Sequence, residues 1–287
     1  MMTETISYVG LPKFEIEVPN SLEEALNLLH IHQTNCKPLA GGTDLLVDLR
    51  HRLIQPNVII DVKNIPELKK LEFTPNELTI GAAVPISEVL TLSQIKTYYT
   101  ALYQALNDMC DEILRNRATI GGNIATASPA ADTAGPLYTH QAVVEVQSKS
   151  KGSRLIAIDK FFKGVKKSDL APDELIVSIN MPKPTINTKS AFMKMKRGAE
   201  DLALVGAAGS HNQEHTYLGF TAVAPTPVFL DISNLIIEKK ISENVFQSIW
   251  KEIDSKISPI TDVRSSRDYR IHITEILTRL ILKEIIL

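Results

Sequence analysis

The sequence predicts an α+β fold in two domains, and three observations support this prediction. The chain has 287 residues, which is long for one compact core and suits two. Strand-like and helix-like segments fall into separate blocks, which disfavours a doubly wound nucleotide fold. Residues 181–184 read Met-Pro-Lys-Pro, and two close prolines resist both helix and central strand. We therefore expect one domain over residues 1–181, with subdomains of about 1–62 and 63–181, and a second over 182–287.

The first subdomain is predicted to alternate strands with a helix. Residues 14–18 alternate apolar and charged side chains, which is typical of a strand. Ser21, followed three residues later by Glu24, forms a capping-box signature ahead of an amphipathic helix. Residues 37–40 and 58–62 are short apolar runs that predict two further strands.

The rest of the chain is assigned in the same way, from periodicity and from proline and glycine positions. In the second subdomain we predict a strand at 78–83, a helix opening at Pro85 and Ser87, a long helix over 93–114, a glycine-rich turn at Gly121 and Gly122, and strands at 143–146 and 175–180. In the C-terminal domain we predict strands at 192–196, 202–210 and 217–223 and helices at 242–256 and 269–286.

Composition excludes several classes of function. A net charge of −2 and a pI near 6.4 disfavour nucleic-acid or anionic-membrane binding. No apolar run approaches the length of a membrane span, and no signal peptide is evident. Cys36 and Cys110 lack CxxC spacing, so we expect a reducing, cytoplasmic compartment and no iron–sulfur cluster on this chain.

The first candidate binding motif is a double glycine between a predicted strand and a predicted helix. It comprises Leu39, Ala40, Gly41, Gly42, Thr43, Asp44 and Leu45. Adjacent glycines allow positive φ and let backbone N–H groups converge on an anion such as a phosphate. Thr43 and Asp44 are expected either to add side-chain contacts or to cap the following helix.

A second double glycine lies farther along the chain. It comprises Ala118, Thr119, Ile120, Gly121, Gly122 and Asn123, and Ser128 and Asp132 come after it. A pyrophosphate repels a carboxylate, so Asp132 suits a ribityl hydroxyl or a ring nitrogen instead. Each motif alone is more often a simple tight turn, and neither has Rossmann or P-loop spacing. Together they indicate a dinucleotide or diphosphate cofactor, and the residues alone lead no further.

Five ordered segments resemble the FAD-binding subunits and domains of molybdenum hydroxylases, such as carbon monoxide, xanthine and nicotinate dehydrogenases. These segments are residues 40–46, 118–132, 170–176, 194–203 and 262–270. The resemblance covers nearly the whole chain. It implies a two-lobed FAD-binding domain of the vanillyl-alcohol-oxidase type, followed by a small α/β C-terminal flavoprotein domain.

The resemblance also implies the roles of individual residues. Residues 40–45 and 119–123 would contact the FAD diphosphate, and Asp132 would bond the polar chain of the cofactor. Ile176 would pack near the adenine or the ring system. Lys194 would lie near the flavin, where its charge stabilises the reduced, anionic ring, although Lys196 is close enough to take that place. Some relatives cover the flavin with an aromatic residue, whereas residues 108–110 here are Asp-Met-Cys.

The implied protein is an oxidoreductase subunit without catalytic or metal-binding residues of its own. A large subunit would hold the molybdenum–pterin centre and a small subunit the iron–sulfur clusters, which pass electrons to this FAD and on to an external acceptor. The substrate and the acceptor stay open. Two alternatives also stay open, namely a self-sufficient FAD-dependent oxidoreductase and an assembly scaffold that has lost the cofactor. The short C-terminal region argues against the first, and the intact glycine motifs argue against the second.

Overall fold

The computed structural model describes residues 10–236 and 241–286. Its first part is a small parallel sheet in the order β1-β3-β2, formed by β1 (Glu15–Glu17), β2 (Cys36–Leu39) and β3 (Val58–Asp61). Helix α1 (Leu22–His32) connects β1 to β2, and α2 (Leu45–Arg50) follows β2. The predicted cap of α1 is confirmed, because Ser21 Oγ accepts a 3.2 Å hydrogen bond from Glu24 N.

The second part is an antiparallel sheet of five strands in the order β4-β5-β10-β6-β7. Its strands are β4 (Leu71–Phe73), β5 (Glu77–Gly81), β6 (Val143–Ser148), β7 (Gly152–Ala157) and β10 (Leu175–Pro182), and a separate hairpin is formed by β8 (Phe162–Gly164) and β9 (Lys167–Ser168). The helices are α3 (Ile86–Thr91), α4 (Ser93–Tyr98), α5 (Thr100–Asp108), α6 (Glu112–Arg115), α7 (Ile120–Thr126), α8 (Ala134–Thr139) and α9 (Ile158–Phe161). Apolar residues from the sheet and from α3, α5, α7 and α8 form one core.

The single helix predicted over residues 93–114 is wrong, because the segment forms α4, α5 and α6. Tyr99 leaves helical geometry at φ −124° and ψ 51°. Its side chain is fully buried, and its hydroxyl donates to the backbone oxygens of Met181 and Pro182 at 3.3 and 3.2 Å. Cys110 then takes a positive φ of 45° between α5 and α6. Tertiary contacts therefore override the helical periodicity.

The third part is an antiparallel meander covered by two helices. Its strands β11 (Lys189–Met195), β12 (Val205–His211), β13 (Thr216–Thr221) and β14 (Val228–Asp231) are hydrogen-bonded in sequence order. Helices α10 (Glu243–Asp254) and α11 (Arg267–Ile286) share a core with the alternate side chains of this sheet. The helices predicted at 242–256 and 269–286 are thus confirmed to within two or three residues.

The opposite face of the meander packs on α5 and α8 of the second part. At the centre of this contact, a Cβ placed on Gly219 would lie 2.8 Å from Gly135 Cα, so the two backbones touch. Ser190 Oγ accepts from Ala101 N at 3.0 Å, and Ser210 Oγ donates to Thr139 O at 2.7 Å. The contact is therefore close and hydrogen-bonded. In the described residues, no helix combines the length and apolar character needed to cross a membrane.

Candidate cofactor site

The first double glycine forms the turn between β2 and α2. Gly42 has φ +77°, a left-handed conformation that side chains rarely adopt, and its carbonyl accepts from Leu46 N at 3.0 Å. Among the described residues, the N–H groups of residues 41–44 donate no backbone hydrogen bond, so four donors stay available. Asp44 sits at the start of α2, but its side chain does not cap the helix. It accepts instead from Thr126 Oγ1 at 3.2 Å.

The second double glycine was predicted to be a turn, and the structure places it in the first turn of helix α7. Thr119 is the N-cap residue of this helix, and its Oγ1 accepts from Gly122 N at 2.9 Å. Gly121 lies against the backbone directly after β5, because an added Cβ would stand 2.7 Å from Ala82 O. Threonine capping therefore converts the expected loop into a helix start.

The two motifs are in direct backbone contact. A Cβ on Gly41 would lie 2.2 Å from the carbonyl oxygen of Arg117 and 2.9 Å from Ala118 Cα. Only glycine allows this approach, because both opposing atoms belong to the backbone. The two turns, separated by about 80 residues of chain, thus form one continuous wall.

This wall lines a cleft of about 730 Å³, which lies in the range of about 300–1,000 Å³ usual for ligand sites. The predicted site residues on its lining are Ala40, Gly41, Gly42, Thr43, Asp44, Leu45, Ala118, Thr119, Gly121, Gly122, Asn123 and Ile176. The structure thus brings most of the predicted set together. None of the described lining residues is aromatic, and Met109 from the Asp-Met-Cys stretch is one of them.

Five predicted site residues do not line this cleft: Leu39, Ile120, Ser128, Asp132 and Lys194. Ile120 is buried in the core, and Ser128 Oγ accepts from Ala130 N at 3.2 Å. Leu39 packs beneath the first turn, with its Cδ1 2.8 Å from where a Gly42 Cβ would stand. Asp132 and Lys194 lie together at the contact with the C-terminal meander.

Asp132 and Lys194 form a buried ion pair, with Lys194 Nζ donating to Asp132 Oδ2 at 2.8 Å. Burial raises the pKa of Asp132 above its usual range, and the Lys194 charge opposes this shift. Asp132 Oδ1 is buried and has no hydrogen-bond partner among the described residues. Lys196 pairs with the more exposed Asp108, which also lies 3.8 Å from Lys194 Nζ, and Lys194 is the more deeply buried of the two lysines. The unpaired Oδ1 can accept a hydrogen bond from a bound group.

The sequence analysis did not identify an ion pair between Arg154 and Glu174 that shapes another wall of the cleft. Arg154 on β7 donates through Nε and Nη2 to both carboxylate oxygens of Glu174, at 2.7 and 2.8 Å. Glu174 Oε2 also accepts from Ala171 N at 2.7 Å, and the Arg154 hydrogen bonds hold the pKa of Glu174 below its ordinary value. Glu174 and Leu170 line the cleft, so this network fixes the loop beside it. Nothing in the local sequence around Arg154 signals this role.

The site as described contains backbone donors, hydroxyl groups and charged side chains. Within residues 10–236 and 241–286, no group of three or more His, Cys, Asp and Glu side chains is arranged to hold a metal ion. Cys36 is buried and Cys110 half-buried, both are free thiols, and burial raises the pKa of each. The arrangement is suited to binding an extended phosphate-bearing molecule.

Comparisons with known proteins point the same way. Residues 12–184 match the family described as the FAD binding domain in molybdopterin dehydrogenase. Residues 190–285 match the family described as the CO dehydrogenase flavoprotein C-terminal domain. These matches confirm the predicted fold class.

Similar proteins extend over almost the full chain. The glyceraldehyde dehydrogenase medium chain of Sulfolobus acidocaldarius is 30% identical over 96% of this chain and 99% of its own. The xanthine dehydrogenase FAD-binding subunit of Escherichia coli O157:H7 is 29% identical, over 92% and 93%. A solved carbon monoxide dehydrogenase from Hydrogenophaga pseudoflava superposes with a TM-score of 0.91 at 27% identity, covering 96% of this chain and 98% of that chain.

Proposed function

Because the chain belongs to the family of FAD-binding subunits of molybdenum hydroxylases, we propose that FAD lies in the cleft between its two double glycines. The observation that carries this proposal is the contact of Gly41 with the backbone of Arg117 and Ala118, which merges both motifs into one wall. A cleft of about 730 Å³ in front of that wall has room for a cofactor. When bound, FAD supplies the redox chemistry that connects the molybdenum and iron–sulfur centres of partner subunits to an acceptor.

The residues of the wall fit a pyrophosphate. The free N–H groups of residues 41–44 can donate to its oxygens. Thr43, Thr119 and Asn123 add hydroxyl and amide groups on the same lining. Thr126 and Asp44, which also line the cleft, join α7 to the start of α2 through their 3.2 Å hydrogen bond.

We assign Asp132 and Lys194 to one end of the cofactor rather than to two separate contacts. Their side chains are hydrogen-bonded to each other, so a cofactor atom that contacts one of them lies close to the other. Lys194 contributes a fixed positive charge, and Asp132 Oδ1 a free acceptor. Both groups suit the polar edge of a flavin ring, whose ribityl chain then leads towards the cleft.

The organisation of the complex is proposed on the same basis. We place the domain boundary close to residue 181, since β10 ends at Pro182 and the next strand begins at Lys189. An iron–sulfur small subunit and a molybdenum-binding large subunit are the proposed partners, and an external carrier or small molecule is the final acceptor. The free thiols of Cys36 and Cys110 are compatible with the cytoplasm, which we propose as the compartment.

The two alternative functions are not favoured. The relatives that this chain matches over 90% or more of its length are named as medium chains and FAD-binding subunits. A cofactor-free scaffold has no use for four free backbone donors beside a cleft or for a buried unpaired carboxylate oxygen.

An absorbance spectrum of the purified chain tests the proposal directly. Flavin bands should appear, and acid treatment should release FAD at close to one molecule per chain. A colourless chain that takes up no added FAD, either alone or together with copurified partner subunits, contradicts the proposal.

A further inference from the structure

The β8–β9 hairpin carries a cluster of lysines on the wall of the cleft. Lys163, Lys166 and Lys167 from this hairpin line the cleft, and so does Lys37 from β2. The glycine motifs themselves contribute Asp44 and neutral groups to the lining, but no cation. The positive charge of this site therefore comes from outside the two motifs that sequence reasoning identified.

The hairpin is attached to helix α2, which follows the first glycine motif, and to the end of helix α7, which begins with the second. Lys166 N donates to Ala127 O at the end of α7 at 3.0 Å. The ammonium group of the same residue donates to both carboxylate oxygens of Asp48 in α2, at 3.0 and 3.1 Å. One residue, at a positive φ of 52°, thus ties the hairpin to both halves of the wall. The lysines beside it are held at the cleft by this attachment.

The carboxylates near the cleft leave two of these lysines without an acidic partner. Lys163 pairs with Asp169 at 3.3 Å and Lys166 with Asp48, while Glu174 is occupied by Arg154. Across the part of the chain that the structure describes, no ion pair joins Lys37 or Lys167 to a carboxylate. Two lysines on the lining are thus available to an anionic ligand.

We propose that Lys167 and Lys37 bind the FAD pyrophosphate and supply the charge that the glycine motifs lack. This inference rests on the proposed function, because it takes FAD as the ligand of the cleft. Backbone N–H groups orient the phosphates, whereas an ammonium group acts as a point charge whose attraction is weakened by salt. A site built from both kinds of donor binds FAD in a manner that depends on ionic strength.

The test compares FAD binding at several salt concentrations. The full chain is purified with any accompanying subunits, stripped of FAD, and titrated with FAD by flavin fluorescence. The Lys37→Gln/Lys167→Gln variant should bind FAD about 10-fold or more weakly at low salt, on the scale of a lost charge-assisted hydrogen bond. Its dissociation constant should also vary less steeply with salt than that of the wild type. The single variant Lys167→Arg keeps the positive charge, so it should bind FAD with most of the wild-type affinity.

Lys160→Gln is the matched control, because Lys160 neighbours the hairpin, pairs with Asp159 and does not line the cleft. It should leave both the affinity and the salt dependence unchanged. An unaltered affinity and salt dependence in the double variant would overturn the inference while the proposed function stands. An equal loss in Lys160→Gln would also overturn it, since the effect would then track net charge. A wild-type protein that binds no FAD at all removes both proposals.

Discussion

Lys194 Nζ lies 2.8 Å from Asp132 Oδ2, and this ion pair joins the C-terminal meander to the segment after the second glycine motif. The two side chains are only 1% and 6% exposed. Burying two charges costs several kcal/mol of solvation for each ion, which their attraction offsets only with good geometry. A pair maintained at that cost, with one oxygen left free, is typical of a functional site.

Replacing Lys194 should lower the reduction potential of the bound flavin. Without the nearby cation, added negative charge on the cofactor is less well stabilised, and a loss of about 1.4 kcal/mol corresponds to about 30 mV for two electrons. Spectroelectrochemical titration of Lys194→Met measures this shift. Lys196→Met is the control, because Lys196 pairs with Asp108 and is less buried. Equal shifts in the two variants, or none in Lys194→Met, would contradict the assignment of Lys194.

Adding one methyl group at Gly41 should abolish FAD retention. The new Cβ would stand 2.2 Å from Arg117 O, so the two motifs must separate, at a cost of about 1–3 kcal/mol of stability. The flavin-to-protein ratio and the melting temperature of Gly41→Ala measure the two effects. Gly10→Ala provides the control, because its Cβ meets nothing within 4 Å. Full FAD occupancy in Gly41→Ala would show that the contact between the motifs does not form the site.

Acid should destabilise the protein through His140. This side chain is buried, its Nε2 has no partner among the described residues, and burial lowers its pKa from 6.5 to about 3. The folded chain binds the proton less readily than the unfolded chain, so the stability is present above pH 6.5 and is lost as the pH falls towards 3. The loss should reach about 3 kcal/mol by pH 4.

Chemical denaturation of His140→Phe at several pH values measures that loss. Phenylalanine keeps an aromatic ring against Tyr99, whose centroid lies 5.1 Å away, but cannot be protonated. The difference in unfolding free energy between variant and wild type should therefore change across this pH window. A constant difference would assign the acid sensitivity to other groups.

Removing the guanidinium of Arg270 should unfold the C-terminal domain more readily. Arg270 is 1% exposed and donates to Asp262 Oδ1 at 2.9 Å and to the backbone oxygens of Leu204 and Ala222. Asp262 is partly exposed and keeps its partner Arg264, so the loss should be about 1.5–3 kcal/mol, the value of a hydrogen bond between charged groups. The unfolding free energies of Arg270→Met and of Arg267→Met provide the comparison, since Arg267 is 59% exposed. Equal stability of the two variants would contradict this prediction.

Local signals were sufficient for much of the fold. Ser21 and Glu24 marked the start of α1, and the apolar runs marked β2 and β3, because capping and alternation act within a few residues. The prediction of one helix through Tyr99 was wrong, because helical periodicity carries no information on the hydrogen bonds from its hydroxyl to residues 181 and 182. Thr119, directly before Ile120 and the two glycines, was a usable N-cap signal for α7, but the motif was interpreted as a turn.

The candidate site was only partly predictable for a similar reason. Adjacent glycines indicate a place where the backbone approaches another group closely, so both motifs could be found from the sequence. Their contact with each other could not, because it joins Gly41 to Arg117, which is distant in the sequence. The pairing of Asp132 with Lys194 and of Arg154 with Glu174 also spans long separations. Such pairings arise from the packing of distant segments in the folded chain rather than from any local pattern.

The contact between Gly135 and Gly219 has a consequence for how the cofactor enters. With backbone against backbone and with Ser190 and Ser210 bonded across the same surface, separating the two domains would break both hydrogen bonds and the glycine contact. The cleft does not require this separation, because its described lining comes only from residues 29–176. We therefore expect FAD to enter a finished chain from the solvent side of the cleft, at a rate that mutations loosening the Gly135–Gly219 joint leave unchanged.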